Sequence, residues 1–249
     1  MGPWKNLAER KDAIMRKEAI LRSVKELYGY DVRATDGHIG KVDDFCFHDS
    51  SWAIEYMVVD TGGWLSERKV LISFASLEQP DWVGRVFPVS LTRERVKNSP
   101  PLDVDKPISK IYESELREHY GWPVPSPVKV RIAAMEAREE SNLRSTKEVI
   151  GYHIQSTDGE VGHVEDFIAD DDEWLIRYMV VDTRNVLPGK KALVSADWIE
   201  KVSWAESKVY LDITEEELKG APEFNYSAPV NRKYEMRLYD YYGRPVYWA

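Results

Sequence analysis

Tyr56-Met57-Val58-Val59-Asp60-Thr61 returns unchanged as Tyr178-Met179-Val180-Val181-Asp182-Thr183, and this string decides how the rest of the chain is read. Its valine-rich centre, closed by an aspartate, has the composition of a strand. Outward from it, at a constant offset of about 122 positions, Trp52 meets Trp174, Asp44-Phe45 meets Asp166-Phe167, and Gly40 meets Gly162. Thr35-Asp36-Gly37 meets Thr157-Asp158-Gly159, and Gly29-Tyr30 meets Gly151-Tyr152. Roughly 23 of about 41 positions from Leu21 to Thr61 equal those from Leu143 to Thr183, far more than shared composition supplies. The offset holds through Lys69/Lys191, Ser73/Ser195, Trp82/Trp204 and Pro100/Pro222. It continues into the tails, where Tyr112-Glu113, Leu116 and Tyr120-Gly121 reappear as Tyr234-Glu235, Leu238 and Tyr242-Gly243. The chain is a tandem duplication of one β-rich unit.

Thr-Asp-Gly at 35 to 37 and 157 to 159 predicts a tight hairpin of the primed kind, in which Asp-Gly supplies positive φ. His48-Asp49-Ser50-Ser51 and Asp170-Asp171-Asp172-Glu173 predict polar tips between the next strands, and Ile54 to Val59 and Val70 to Phe74 continue the β pattern. Three kinds of segment depart from it. Residues 4–21, with Leu7, Ile14 and Leu21 a heptad apart, and residues 129–143 have amphipathic helix spacing. Tyr112, Leu116 and Tyr120, like Tyr234, Leu238 and Tyr242, predict a short helix in each tail, and Gly121 to Pro127 reads as an extended connection. The expected organisation is an N-terminal helix over 1–20, repeat one with its tail over 21–127, a helical connector over 128–142 and repeat two over 143–249.

The chain has 249 residues, 43% of them hydrophobic, enough for two cores. A net charge of −9 argues against binding driven by phosphate neutralisation, so no nucleic-acid partner is expected. Cys46 is the single cysteine, which excludes an intramolecular disulfide and fits a reducing, cytoplasmic setting. Residues 1–21 carry too many charges for a secretory signal, and no apolar run approaches the roughly 18 residues of a membrane span.

Leu27-Tyr28-Gly29-Tyr30-Asp31-Val32, Thr35-Asp36-Gly37, Ile39 to Phe45 and Tyr56 to Thr61 together resemble the PRC-barrel family, named after the cytoplasmic barrel of the photosynthetic reaction-centre H subunit. Val149 to Tyr152, Asp158-Gly159, Val161 to Phe167 and Tyr178 to Thr183 repeat the signature. The resemblance implies a mainly β protein of two small barrels related by a pseudo-two-fold, each used as a docking or assembly module, with no catalytic apparatus to carry over. The H subunit is tethered by a transmembrane helix, whereas residues 4–21 here are charged and amphipathic.

Asp36, Asp44, Asp60, Asp158, Asp166 and Asp182 would suit acid-base or metal chemistry if they converged. Turn and strand-end positions, where carboxylates accept from loop amides, explain them more simply. Asp170 to Glu173 lacks the spacing of a calcium loop and reads as a solvated tip. His38, His48, His119, His153 and His163 share no metal-ligand spacing, and Cys46 matches Ile168, which points to a core position. No nucleophile elbow, Walker loop or dinucleotide fingerprint occurs, so no catalytic, cofactor or metal residue is assigned. Nine Trp and fourteen Tyr are the more suggestive feature. Trp52 and Trp174 read as core or barrel-mouth residues. Trp64, on Gly62-Gly63-Trp64-Leu65, reads as an exposed interface anchor, and Tyr120, Tyr242 and Trp248 join it as candidate interface residues.

The expected function is a non-enzymatic protein-binding or scaffold module, with a protein partner, no membrane span and homo-oligomerisation left open. An accessory of a photosynthetic or electron-transfer complex, peripheral to a membrane, is the first alternative. A small-ligand binder or enzyme using an inter-barrel cleft is the second.

Overall fold

The computed structural model describes residues 20–66, 68–102, 108–122, 143–183 and 190–248. Residues 4–19 and 129–142 of the expected helices, and most of the connection from Gly121 to Pro127, lie outside the described residues, whereas Leu21 and Leu143, expected to end those helices, begin strands. Repeat one runs β1 (Leu21–Ser23), α1 (Val24–Leu27), β2 (Asp31–Ala34), β3 (Gly37–His48), β4 (Ile54–Asp60), β5 (Lys69–Ser73), β6 (Val86–Pro88), α2 (Arg93–Lys97) and α3 (Lys110–Tyr120). Repeat two runs β7 (Leu143–Ser145), α4 (Thr146–Val149), β8 (His153–Gln155), β9 (Glu160–Asp170), β10 (Ile176–Asp182), β11 (Lys191–Ser195), β12 (Ile199–Ser203), β13 (Lys208–Leu211), α5 (Glu215–Gly220) and α6 (Arg232–Tyr242).

The strands form two sheets. One has the order β5-β4-β3-β2-β6, with β7 added on β3; the other has the order β11-β10-β9-β8-β13-β12, with β1 added on β9. The first strand of each repeat therefore lies in the sheet of the other. Leu21, Arg22 and Ser23 pair antiparallel with Asp170, Ala169 and Ile168, while Leu143, Arg144 and Ser145 pair with His48, Phe47 and Cys46. The unit 21–127 is contiguous in the chain and shared in space.

The length of β3 and β9 allows this exchange. At 12 and 11 residues they are about twice a typical strand. The first part of each takes its own hairpin partner, β2 or β8, and the last three residues offer an open edge. Between the two parts the pairing with β4 or β10 slips by one residue, at Val42/Asp44 and at Val164/Asp166, and such a bulge bends the strand and re-aims its side chains. Asp44 and Asp166 thus sit mid-strand beside a bulge, not at a strand end.

The hairpins lie where Thr-Asp-Gly predicts them, but they are not primed. Gly37 has φ +145°, while Asp36 and Asp158 are not among the residues with positive φ. Their carboxylates have another use: Asp36 Oδ1 accepts from the amide of Arg93 at 2.7 Å and Asp158 Oδ1 from that of Glu215 at 2.8 Å, anchoring the starts of α2 and α5.

Phe45, Met57, Val59, Ile72 and Phe87 are fully buried in one half; Phe167, Met179, Val181, Leu193 and Val209 are fully buried in the other. The tail helices cover these sheets. Ser109 and Asn231 cap α3 and α6, left-handed Gly121 and Gly243 end them, and Leu116 and Leu238 bury the face that their four-residue spacing predicts. Cys46 is buried among core residues, where burial pushes its thiol up and out of the reactive range.

Candidate functional site

Equivalent positions of the two repeats meet at their junction. Ala53 forms a bridge with Leu175, its own counterpart, and on either side Ile54 donates to the carbonyl of Trp174 at 2.8 Å and Ile176 to that of Trp52 at 2.9 Å. Pairing between equivalents is the mark of an isologous, two-fold contact. Trp52 and Trp174 reach it with left-handed φ of 60° and 54°, unusual for aromatic residues and repeated in both halves. The Trp174 ring lies against Phe74 (4.3 Å), Phe87 (5.8 Å) and Trp82 (6.4 Å) of repeat one, and Trp52 lies between Phe47 and Phe167.

Each exchanged strand is held by one buried carboxylate. Ser145 caps α4 by accepting from the Glu148 amide at 3.0 Å, and its hydroxyl donates to Asp44 Oδ2. Asp44 Oδ1 also accepts from Thr146 Oγ1 at 2.7 Å, the Lys147 amide at 3.1 Å and the Phe45 amide at 2.7 Å. In the other half Ser23 caps α1 and donates to Asp166 Oδ2 at 2.6 Å, while Asp166 Oδ1 accepts from the amides of Lys25 (3.1 Å) and Phe167 (2.7 Å). Burial pushes the Asp166 carboxyl up, against the lowering effect of those hydrogen bonds.

A ring of charge surrounds each buried aspartate. Arg22 Nε bonds Asp171 of repeat two at 2.7 Å while its guanidinium lies 3.6 Å over Trp82 of its own repeat. Arg144 repeats this with Asp49 at 3.3 Å and Trp204 at 3.9 Å. Lys147 and Lys69 both bond Asp43, at 2.7 and 2.9 Å; Lys25 and Lys191 both meet Glu165, at 3.5 and 2.9 Å. Burial alone would raise Asp43, but the two lysines hold it below its ordinary 3.8. Stability from this pair is therefore present above 3.8 and lost as the pH falls from there through the lowered value of the folded state. Lys147→Met is expected to lower unfolding free energy by roughly 0.5–1 kcal/mol at neutral pH. Urea unfolding of variant and wild type over a pH series should show the difference shrinking below pH 3.8; a difference that grows in acid would contradict it.

The acidic tip at 170 to 173 is correspondingly less solvated than its composition predicts. Asp170 is buried, accepting from the amides of Asp172 and Glu173 and from Arg177, and Asp171 also takes the Ile20 amide at 2.9 Å. Asp60 and Asp182 do end their strands, and Asp60 Oδ1 accepts from the Gly62 amide.

The candidate interface aromatics turn inward. Trp64 is half-buried, its indole N–H donating to the Ile39 carbonyl and its ring lying under Arg93 at 4.5 Å, so the glycine-rich loop folds onto its own repeat. Tyr120 is buried against Trp122 at 4.2 Å. Tyr242 covers Trp198 at 4.7 Å, and Trp248 meets Tyr239 at 5.3 Å with Arg232 above it. Among the described residues, the apolar side chains most open to solvent are instead Val83, Ile111 and Met236.

His38 and His153 pair with Asp31 and Glu160, and His119 lies at 2.8 Å from the Arg95 carbonyl. Among the described residues, two groupings form only when separate strands, and in one case a helix, come together. They are His48 with Glu55 and Glu113, and His163 with Glu165 and Asp182. Among the described residues, no helix is long and apolar enough to cross a membrane.

The duplication extends to comparison with known families. The model of the PRC-barrel domain matches residues 21–93 and again residues 142–218, so that more than half of the chain is covered. Comparison with curated proteins gives no match. Each matched segment begins beside the exchanged strand and includes the carboxylate that holds the other repeat's strand. The chain belongs to the PRC-barrel domain family, of which it carries two interlocked copies.

Proposed function

We propose that the protein is a non-enzymatic, cytoplasmic assembly module whose two PRC domains act as one rigid body that docks a protein partner. The observation that carries this reading is the use made of the recurrent polar groups. Asp44, Asp166, Ser23, Ser145, Arg22 and Arg144 are all engaged in joining the repeats, so what duplication preserved is a scaffold. Each sheet also has the connectivity of a small barrel. β11 passes through the single turn Ala196–Trp198 into β12, which stands at the opposite end of the strand order, and in repeat one Leu77, just beyond β5, bridges Val89, just beyond β6. A short connection from one edge of a sheet to the other supports a sheet curled toward a barrel.

The partner surface is assigned to the outer faces of the tail helices, where Ile111 and Met236 are 73% and 59% exposed. Capture from native lysate on the immobilised chain, compared with an Ile111→Lys/Met236→Lys variant, tests this. A protein retained by wild type and lost from the variant supports it. Clean turnover of a small substrate, or capture indifferent to both substitutions, overturns it. Retention on membranes would favour an accessory role on a membrane complex, as the H-subunit resemblance suggests.

A further inference from the structure

We propose that His48, Glu55 and Glu113 bind one divalent transition-metal ion of the zinc class, pinning the tail helix of repeat one to its sheet. His48 ends β3, Glu55 lies in β4 and Glu113 lies on α3, and one donor atom of each falls within 4.8 Å of the others. An imidazole nitrogen with two carboxylate oxygens is a borderline donor set that suits zinc. His48 Nε2 and Glu55 Oε1 are 3.2 Å apart. Two ligands at about 2.0–2.1 Å from a tetrahedral ion stand roughly 3.3 Å apart.

Arg117 does not fill the place. Its guanidinium meets Oε2 of Glu55 at 3.4 Å and Oε2 of Glu113 at 3.0 Å, leaving Glu55 Oε1 turned to His48. It acts as the outer hydrogen-bond partner that fixes the direction of liganding carboxylates. Burial disfavours the charged His48 imidazole, but its bond to Glu55 raises its pKa, so the ion must displace that proton, in a site where the Glu113 side chain is only 7% exposed.

The rest of the molecule offers an internal control. At the equivalent positions repeat two has Asp170, Arg177 and Glu235, and the Arg177 guanidinium bonds Asp170 at 2.9 Å, supplying a fixed cation where repeat one has Glu55. The grouping of His163 with Glu165 and Asp182 is looser, at 3.9 Å from the imidazole to each carboxylate, and Lys25 and Lys191 already neutralise Glu165. One ion per chain is expected.

The test is a titration of the chelator-stripped full chain with zinc chloride at pH 7.5 against a chromogenic competitor, repeated with cobalt(II) for its visible absorption. Wild type should take up one equivalent, with His48→Ala and Glu55→Gln each weakening binding at least tenfold and His163→Ala leaving it unchanged. Should either variant fold poorly, histidine ring nitrogen shifts in wild type give the same answer, since zinc must move His48 and leave His163 in place. No saturable uptake, uptake indifferent to His48→Ala, a shift confined to His163, or unmoved His48 resonances would each overturn the proposal.

Discussion

Replacing Asp44 by alanine is expected to lower the unfolding free energy by about 3–5 kcal/mol, a large share of the roughly 5–15 kcal/mol that holds a native protein together. The carboxylate is 7% exposed and accepts from four donors, Ser145 Oγ, Thr146 Oγ1 and the amides of Lys147 and Phe45. Three of the four belong to the other repeat. Alanine takes away their shared acceptor, and a buried donor left without one costs about 1–3 kcal/mol. Asparagine keeps one carbonyl oxygen and should cost less, about 1–2 kcal/mol. Urea unfolding reads the difference, and Ser145→Ala in the Asp44→Ala background should cost much less than alone, because the two groups share one interaction. A loss below about 1 kcal/mol for Asp44→Ala would mean that the carboxylate is solvated and that the exchanged strand is held by something else.

Gly40→Ala is expected to cost about 3 kcal/mol or more for a different reason. A Cβ at residue 40 would stand 2.0 Å from the Asp60 carbonyl oxygen and 2.9 Å from Thr61 Cα, backbone atoms that cannot rotate away. In repeat two the same contact recurs, with the Cβ of residue 162 also 2.0 Å from the Asp182 oxygen and φ at +145° besides. Because Gly40 is next to Lys41, the partner of Asp60, relief would have to part β3 from β4, the strands that carry both the bulge and the Trp52 turn. Thermal unfolding of Gly40→Ala should fall by several degrees, whereas Gly63→Ala, where an added Cβ meets nothing within 4 Å, should stay near wild type. Equal stability of the two variants would contradict the close approach.

These two positions show what could be read from residues alone. The glycine and the aspartate both stand out as recurrent, and the reading that such residues serve the fold agrees with their contacts. What each one touches was not legible. A β pattern identifies β4 and β10 because their apolar character is local, and the tail helices because Tyr112, Leu116 and Tyr120 keep a helical period. It says nothing of which edge a three-residue strand will join. Leu21-Arg22-Ser23 and Leu143-Arg144-Ser145 are identical, yet so short a strand carries no alternation, and its partner lies far off in the chain, with contacts 149 positions apart for the first and 101 for the second. The available signal was the pairing of recurrences: Arg22 and Arg144 recur with Asp49 and Asp171, and opposite charges that recur together at one offset are candidates for a reciprocal contact. Trp64 misleads in the opposite way. Gly62-Gly63 predicts a loop that stands clear, whereas the indole finds the Ile39 carbonyl and Arg93 in its own repeat.

The reciprocal docking of first strands makes the covalent link between the repeats unnecessary once the chain has folded. A protease site inserted within residues 128–142 and cut in the native state, followed by size-exclusion chromatography at micromolar concentration, tests this most directly. The halves should stay together as one particle of the uncut size until denatured. Their separation into two folded species under native conditions would show that each repeat keeps its own first strand, and would contradict the exchange.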